Sequence, residues 1–122
     1  MRSFLIAASM AVLCAAPALA ADDVMAGFFG NTAVSTGGSI EIHTHYRADH
    51  TFDFVGSMMF MTKTFKGTWV LDGKGNICRT YIGDLPPDTT NPSCAPIVAR
   101  RIGDTWKSKD GVRTITLKAG IL

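Results

Sequence analysis

The sequence predicts an all-β domain: an antiparallel meander of about seven or eight strands that forms a half-barrel or small barrel, with a short N-terminal helix. Several runs alternate between apolar and polar residues with the period of two that is typical of strands. Turn residues recur between these runs at the short spacing of antiparallel sheets. No window after Gly30 shows the 3.6-residue period of an amphipathic helix.

Each element follows from a local pattern. Acidic residues begin the segment 22–30 and Gly30 ends it, which predicts the N-terminal helix. Turns are expected at 36–39, 48–51, 72–76 and 109–111, and a proline-rich loop at 83–92. The residues expected to share a face within a strand are Ile40, Ile42, Thr44 and Tyr46; Phe52 and Phe54; Phe65, Gly67, Trp69 and Leu71; and Arg113, Ile115 and Leu117.

Two segments that carry a tryptophan echo each other. Gly-Thr-Trp at 67–69 runs into Asp-Gly at 72–73, and Gly-Asp-Thr-Trp at 103–106 runs into Asp-Gly at 110–111. Two copies indicate similar hairpins rather than a solenoid. Both tryptophans are expected to anchor the core. The alternative is that they line a ligand cavity, which small barrels can provide.

The first twenty residues have the pattern of a secretory signal peptide. Arg2 precedes an apolar run over 4–16, and Ala18-Leu19-Ala20 is a cleavage site of the small-x-small type. The run is too short for a membrane span, and no stop-transfer segment follows it. The sequence therefore predicts a signal peptide over 1–20, a single β domain over 21–122, and a periplasmic or secreted location.

Charge and cysteine content narrow the class of partner. After the signal, eleven Lys or Arg face ten Asp or Glu, and no basic cluster exceeds Arg100-Arg101. This balance favours neither a nucleic acid nor an anionic membrane as a partner. Cys14 leaves with the signal, so Cys78 and Cys94 form an even pair in an oxidising compartment and are expected to be disulfide-bonded.

Several motifs resemble a group of small exported alphaproteobacterial proteins, whose pattern is Tyr-x-Asn-Ala-Asp-Gly-Thr-Tyr, Gly-Thr-Trp, Gly-x-x-Cys, a second Cys and a late Gly-x-Thr-Trp. The matching segments here are Tyr46-Arg47-Ala48-Asp49-His50-Thr51-Phe52, Gly67-Thr68-Trp69-Val70 and Gly75-Asn76-Ile77-Cys78. The resemblance covers about residues 30–120 and implies a compact β-meander or lipocalin-like half-barrel, without implying an activity. Arg47 and His50 stand where the group has Asn and Gly, so a tight turn is expected to hold His50 at positive φ.

Gly67-Thr68-Trp69 is also similar to the Gly-x-Trp of lipocalins and avidins. In those families the motif opens the first strand of the barrel, whereas here it falls in the middle of the chain. The similarity concerns strand chemistry and implies no ligand.

His43, His45 and Asp49 have the spacing of the first cupin motif, between Gly37 and Gly56, with Asp where that family has Glu. Residues i and i+2 of a strand project from the same face, so two imidazoles and a carboxylate can hold Zn, Cu or Fe. The second cupin motif is absent from the sequence. The alternative interpretation is that these histidines lie on a solvated polar face.

Three methionines follow the candidate ligands. Met58, Met59 and Met61 offer soft thioether ligands for copper, with Met58 and His50 as partners across a hairpin. The alternative, which the sequence favours, is that these methionines fill gaps in the core.

No complete catalytic or cofactor motif is present in the sequence. Glu41 is the only glutamate, which excludes a glutamate pair for glycoside hydrolysis, and no phosphate-binding loop occurs. The expected function is therefore an exported, non-enzymatic binding or interaction module for a small apolar ligand in the barrel mouth or for another envelope protein. Two alternatives stay open: a periplasmic Zn- or Cu-binding protein that uses His43 and His45, and a secreted hydrolase inhibitor that inserts the loop 83–92.

Overall fold

Alternating apolar and polar residues build one antiparallel sheet in the part of the chain that the computed structural model describes, residues 21–122. The signal peptide expected over 1–20 lies outside the described residues. The elements are α1 (Ala21–Met25), β1 (Thr32–Gly37), β2 (Ile40–Tyr46), β3 (Thr51–Met58), β4 (Met61–Leu71), β5 (Asn76–Ile82), β6 (Ser93–Pro96), β7 (Thr105–Lys107) and β8 (Thr114–Lys118).

The eight described strands follow the order β6-β5-β4-β3-β2-β1-β8-β7, with every neighbouring pair antiparallel. Strands β1 to β6 form a meander, and β8 returns to pair with the free side of β1. The sheet curls into a half-barrel whose edges are β6 and β7. The predicted all-β half-barrel with a short N-terminal helix is therefore confirmed.

The concave face of the sheet holds the core. Its register places one inward residue of each strand beside the next, as in the row of Tyr46, Phe52, Gly67 and Tyr81 across β2 to β5. Gly67 is required there because a Cβ would collide with the Thr80 carbonyl and the Phe52 ring. The buried apolar cluster consists of Met25, Phe28, Tyr46, Phe52, Phe65, Trp69, Ile77, Tyr81 and Leu117.

The N-terminal segment covers one end of this face. The helix ends at Met25 instead of continuing to Gly30 as expected, because the chain turns there through bonds that span three residues, from Phe28 N to the Met25 carbonyl and from Asn31 N to the Phe28 carbonyl. Phe28 meets the Tyr46 ring edge-on at a centroid distance of 5.7 Å. The segment therefore closes the half-barrel at the end opposite to the β1–β2 turn.

Trp69 ties the β2–β3 turn to β4. Its side chain is 0 % exposed, and its Nε1 donates to the carbonyl oxygen of Arg47 at 3.1 Å. The His50 ring stacks on the indole at a centroid distance of 4.1 Å. His50 has a φ of 68°, the left-handed conformation expected for this turn. The turn is thus fixed by contacts with a neighbouring strand as well as by its own sequence.

Asp49, Asp72 and Asp110 each order a turn with an exposed carboxylate. Asp72 accepts from the backbone N–H of Lys74 at 2.7 Å and of Asn76 at 3.0 Å. Hydrogen bonds of this kind stabilise the ionised form, and they lower the pKa of all three aspartates below the ordinary value of 3.8.

The thermal stability of the protein is expected to fall in acid. A carboxyl group with a lowered folded-state pKa stabilises the fold above its ordinary pKa of 3.8, and this contribution is lost as the pH falls through the lowered value. The melting temperature of an Asp72→Asn variant should therefore depend less on pH below 3.8 than that of the wild type, as a series of melting curves would measure. Asp88→Asn, at an exposed position that caps none of these turns, is the control; an equal effect of both variants would contradict the prediction.

Cys78 of β5 and Cys94 of β6 are direct partners across the two strands and are joined by a disulfide, as the sequence predicts. The bridge fixes the edge strand β6 to the rest of the sheet.

In the described residues, no helix is long and apolar enough to cross a membrane.

Candidate functional site

The concave face of the half-barrel carries an open cavity of about 280 Å³. Small inward side chains leave this space, among them Ala33 and Ser35 on β1, Thr44 on β2 and Ala95 on β6. Phe28 and Tyr46, which belong to the core cluster, also line it. The cavity therefore lies directly above the core, towards the end of the half-barrel that carries the β1–β2 turn.

The two tryptophans divide between the two predicted roles. Trp69 lies in the core, as the first interpretation expects. Trp106 is half-buried and lines the cavity, as the alternative expects. The Arg100 guanidinium lies 4.3 Å from the centroid of the Trp106 ring, a cation–π contact at the edge strand β7.

Three arginines line the cavity, Arg79, Arg100 and Arg113, whereas no Asp or Glu among residues 21–122 does so. Because the described chain supplies positive groups without carboxylates to neutralise them, the cavity is positively charged. Its remaining wall is mostly aliphatic and aromatic, including Ile42, Phe54 and Ile115. An apolar cavity with a few convergent polar groups is typical of a ligand site.

The Arg113 guanidinium uses four of its five N–H donors within the protein. Its Nε donates to Ser35 Oγ at 2.6 Å, and Nη1 donates to the Gly37 carbonyl oxygen at 3.0 Å. Its Nη2 donates to the carbonyl oxygens of Ser35 at 2.9 Å and Ile40 at 2.8 Å. Arg113 therefore fastens β8 to the β1–β2 turn and has little capacity for a ligand.

Arg79 differs from Arg113. Its position on β5, between inward Ile77 and Tyr81, directs it into the concave face. Its Nε is buried and has no hydrogen-bond partner within residues 21–122. The guanidinium lies 6.0 Å from the centroid of the Phe54 ring. Electrostatic interaction with Tyr46 raises the pKa of Arg79, while burial acts in the opposite direction, so the side chain keeps its positive charge.

The three candidate metal ligands, His43, His45 and Asp49, each contact a different part of the protein. His43 and His45 share the outer face of β2, as the spacing predicts. His43 Nε2 lies 3.2 Å from a carboxylate oxygen of Glu41. His45 is buried under the end of the chain, where its Nε2 lies 3.1 Å from the Leu122 carbonyl oxygen.

Asp49 is engaged in the β2–β3 turn, where its carboxylate accepts from the backbone N–H of Thr51 at 3.0 Å and from the Thr51 hydroxyl at 2.6 Å. In the described part of the chain, no three His, Cys, Asp or Glu side chains are grouped so that they hold a metal ion. Binding of Zn or Cu at His43 and His45 stays a prediction that a metal titration would test.

The methionines form the tip of the β3–β4 hairpin instead of filling the core. Met59 is 88 % exposed and Phe60 is 99 % exposed, so the core interpretation of this run is wrong. The strands pair as far as Met58 and Met61, and the two residues between them make the turn beyond the rim of the half-barrel. His50 and Met58 flank opposite ends of β3, about 25 Å apart at roughly 3.3 Å per residue, too far to share a copper ion.

The loop 83–92 lies beside β5. The Asn91 side chain accepts from Tyr81 N at 2.9 Å and donates to the Tyr81 carbonyl oxygen at 3.2 Å, which continues the pairing of β5 beyond β6. Leu85 is exposed in this loop. The end of the loop is therefore anchored to the sheet, while its apolar residue faces solvent.

Arg79 is not among the site residues that the sequence predicts. Period-two alternation through Ile77, Arg79 and Tyr81 places it on the inward face, and an inward arginine was the signal that could have found it.

Neither protein-family models, nor curated proteins, nor solved structures give a match to this chain.

Proposed function

We propose that this protein is an exported, non-enzymatic binding module that holds a small, largely apolar ligand in the cavity of its half-barrel. The observation that carries the proposal is the cavity itself. Protein interiors are close-packed, whereas the open cavity of about 280 Å³ bordered by Ala33, Thr44 and Trp106 forfeits packing contacts that larger side chains would make. The volume is close to the lower end of the roughly 300–1,000 Å³ that ligand pockets span.

Four further features support an exported, non-enzymatic binding role. The signal-peptide pattern over 1–20 and the Cys78–Cys94 bridge both suit an oxidising compartment. The near balance of charges gives no broad basic surface for nucleic acid. The lining of the cavity contains no paired acid and base, which suits binding rather than catalysis.

Filling the cavity is expected to abolish ligand binding. Ala95 lines it on the edge strand β6, where a larger side chain enters the open space with little strain. A fluorescence titration with the neutral dye N-phenyl-1-naphthylamine should show saturable binding to the mature protein. Binding to Ala95→Leu should be weaker by about tenfold or more, which corresponds to roughly 1.4 kcal/mol.

Thr80→Leu is the matched control, because Thr80 is exposed on β5 and does not line the cavity. It should bind the dye as the wild type does. Equal binding by the wild type and Ala95→Leu would place the dye elsewhere, and absence of saturable binding to the wild type would overturn the proposed function.

A further inference from the structure

We propose that the ligand is an amphiphile with a single carboxylate, received by the Arg79 guanidinium while its apolar chain occupies the cavity. This inference rests on the proposed function and adds the chemical class of the ligand. It depends on the combination of an unpaired guanidinium N–H with an apolar wall.

Arg79 is half-buried in this wall, and its Nε is removed from water. A guanidinium removed from water is destabilising unless carboxylates or other acceptors satisfy its five donors. The Arg79 Nε is buried without an acceptor in the described chain, and no carboxylate of residues 21–122 lines the cavity. The site therefore favours an anion that brings its own acceptor oxygens.

Arg113 lies in the same wall as Arg79 but differs from it in its hydrogen bonds. Arg113 donates to four acceptors on Ser35, Gly37 and Ile40, and its role is structural. Arg79 lies between aromatic side chains, with its guanidinium 6.0 Å from the Phe54 centroid and beside Tyr46. Arg79 therefore keeps an unpaired N–H donor beside the cavity, whereas Arg113 spends four of its five on the protein.

A carboxylate is the anion whose geometry matches a guanidinium. A carboxylate accepts two parallel hydrogen bonds from one guanidinium, and such charge-assisted pairs are about twice as strong as neutral ones. A di- or trianion would need further N–H donors, but Arg113 uses four of its five within the protein and Arg100 lies against the Trp106 ring. The unpaired Nε–H of Arg79 therefore favours a single carboxylate.

The wall of the cavity indicates which chain the carboxylate carries. Apolar side chains such as Ile42, Ile115 and Trp106 border the space next to Arg79. A cavity of about 280 Å³ is at the small end for ligand pockets, which favours a medium-length alkyl chain over a long one. Decanoate has both features and is the probe for the test.

The test compares decanoate with 1-decanol, which has the same chain and no charge, by isothermal titration calorimetry of the mature protein. The wild type should bind decanoate about tenfold or more tightly than the alcohol, as expected for a hydrogen-bonded charge pair. Arg79→Met should lose this preference by weakening decanoate binding about tenfold while 1-decanol still binds. Arg79→Lys, which keeps the charge without the planar fork, should retain only part of the preference.

Arg101→Met is the control for net charge. Arg101 is exposed, directly follows Arg100 in the chain and does not line the cavity, so this variant should keep the wild-type preference. A circular dichroism spectrum and a urea titration of each variant verify that it is folded.

The outcomes separate the two proposals. Equal binding of decanoate and 1-decanol by the wild type would overturn the anionic ligand and leave the apolar cavity function intact. Failure of both ligands and of the neutral dye to bind would overturn both proposals. A preference that survives in Arg79→Met would assign it to another cation, such as Arg100 or Arg113 of the same wall, and one that disappears in Arg101→Met would assign it to surface charge; either result would overturn the role of Arg79.

Discussion

Replacing Trp69 by alanine is expected to lower the free energy of unfolding by about 3–5 kcal/mol, the usual cost of deleting a large buried aromatic side chain. Trp69 is 0 % exposed, packs against Phe29 and Tyr46, and donates from Nε1 to the Arg47 carbonyl. Its loss therefore removes core volume and leaves that carbonyl without its indole donor. Urea denaturation followed by far-ultraviolet circular dichroism measures the effect.

This loss is large for the fold, because small domains have total stabilities of about 5–15 kcal/mol. Val70→Ala, at the next position on the exposed face of β4, provides the control and should change the stability by less than about 0.5 kcal/mol. Trp106→Ala should cost less than Trp69→Ala, since Trp106 is only half-buried. A loss below about 1 kcal/mol for Trp69→Ala would contradict the role given to this residue as the centre of the core.

Removing the disulfide is expected to have the second-largest effect. The bridge joins residues separated by 16 positions, and closing a loop of about that length stabilises a fold by roughly 3 kcal/mol in the chain-entropy model. A Cys78→Ala, Cys94→Ala double variant should therefore melt at a lower temperature than the oxidised wild type. Ala95 and Ile97, which follow Cys94, border the cavity, so ligand binding should weaken as well.

Calorimetry with and without dithiothreitol measures this effect and supplies its own control. Reductant should lower the melting temperature of the wild type towards that of the double variant and leave the double variant unchanged. The prediction fails if thiol titration shows full reduction of the wild type while its melting temperature stays the same.

The inward face of the sheet could be predicted from the sequence because alternation is a local property. Ile42, Thr44 and Tyr46 share the concave face of β2, as their spacing indicates, and Phe52 and Phe54 continue that face on β3. The pairing of Cys78 with Cys94 could be predicted from the expected oxidising compartment and from the even number of cysteines after residue 20. These features depend on residue type and spacing, which the chain carries directly.

The cavity could not be predicted, because it depends on which distant residues face each other. Ala33 is beside Leu117 only because β8 returns to pair with β1, and no local pattern encodes that return.

The prediction that the methionines fill the core was wrong for a related reason. Apolar residues at 58–61 suggest burial, but the hairpin register places them beyond the rim, where no other element covers Met59 or Phe60.

The two edges of the half-barrel decide how it meets other chains. Strand β6 has four residues, follows Pro92 and ends at Pro96, and proline lacks the N–H that a newly added strand would need. Strand β7 has three residues and ends at Lys107. Both edges are thus short, and the proline of β6 also removes a backbone donor, so neither favours the growth of an intermolecular sheet. The sheet consequently keeps its concave side open while its two short edges limit pairing with strands of other chains.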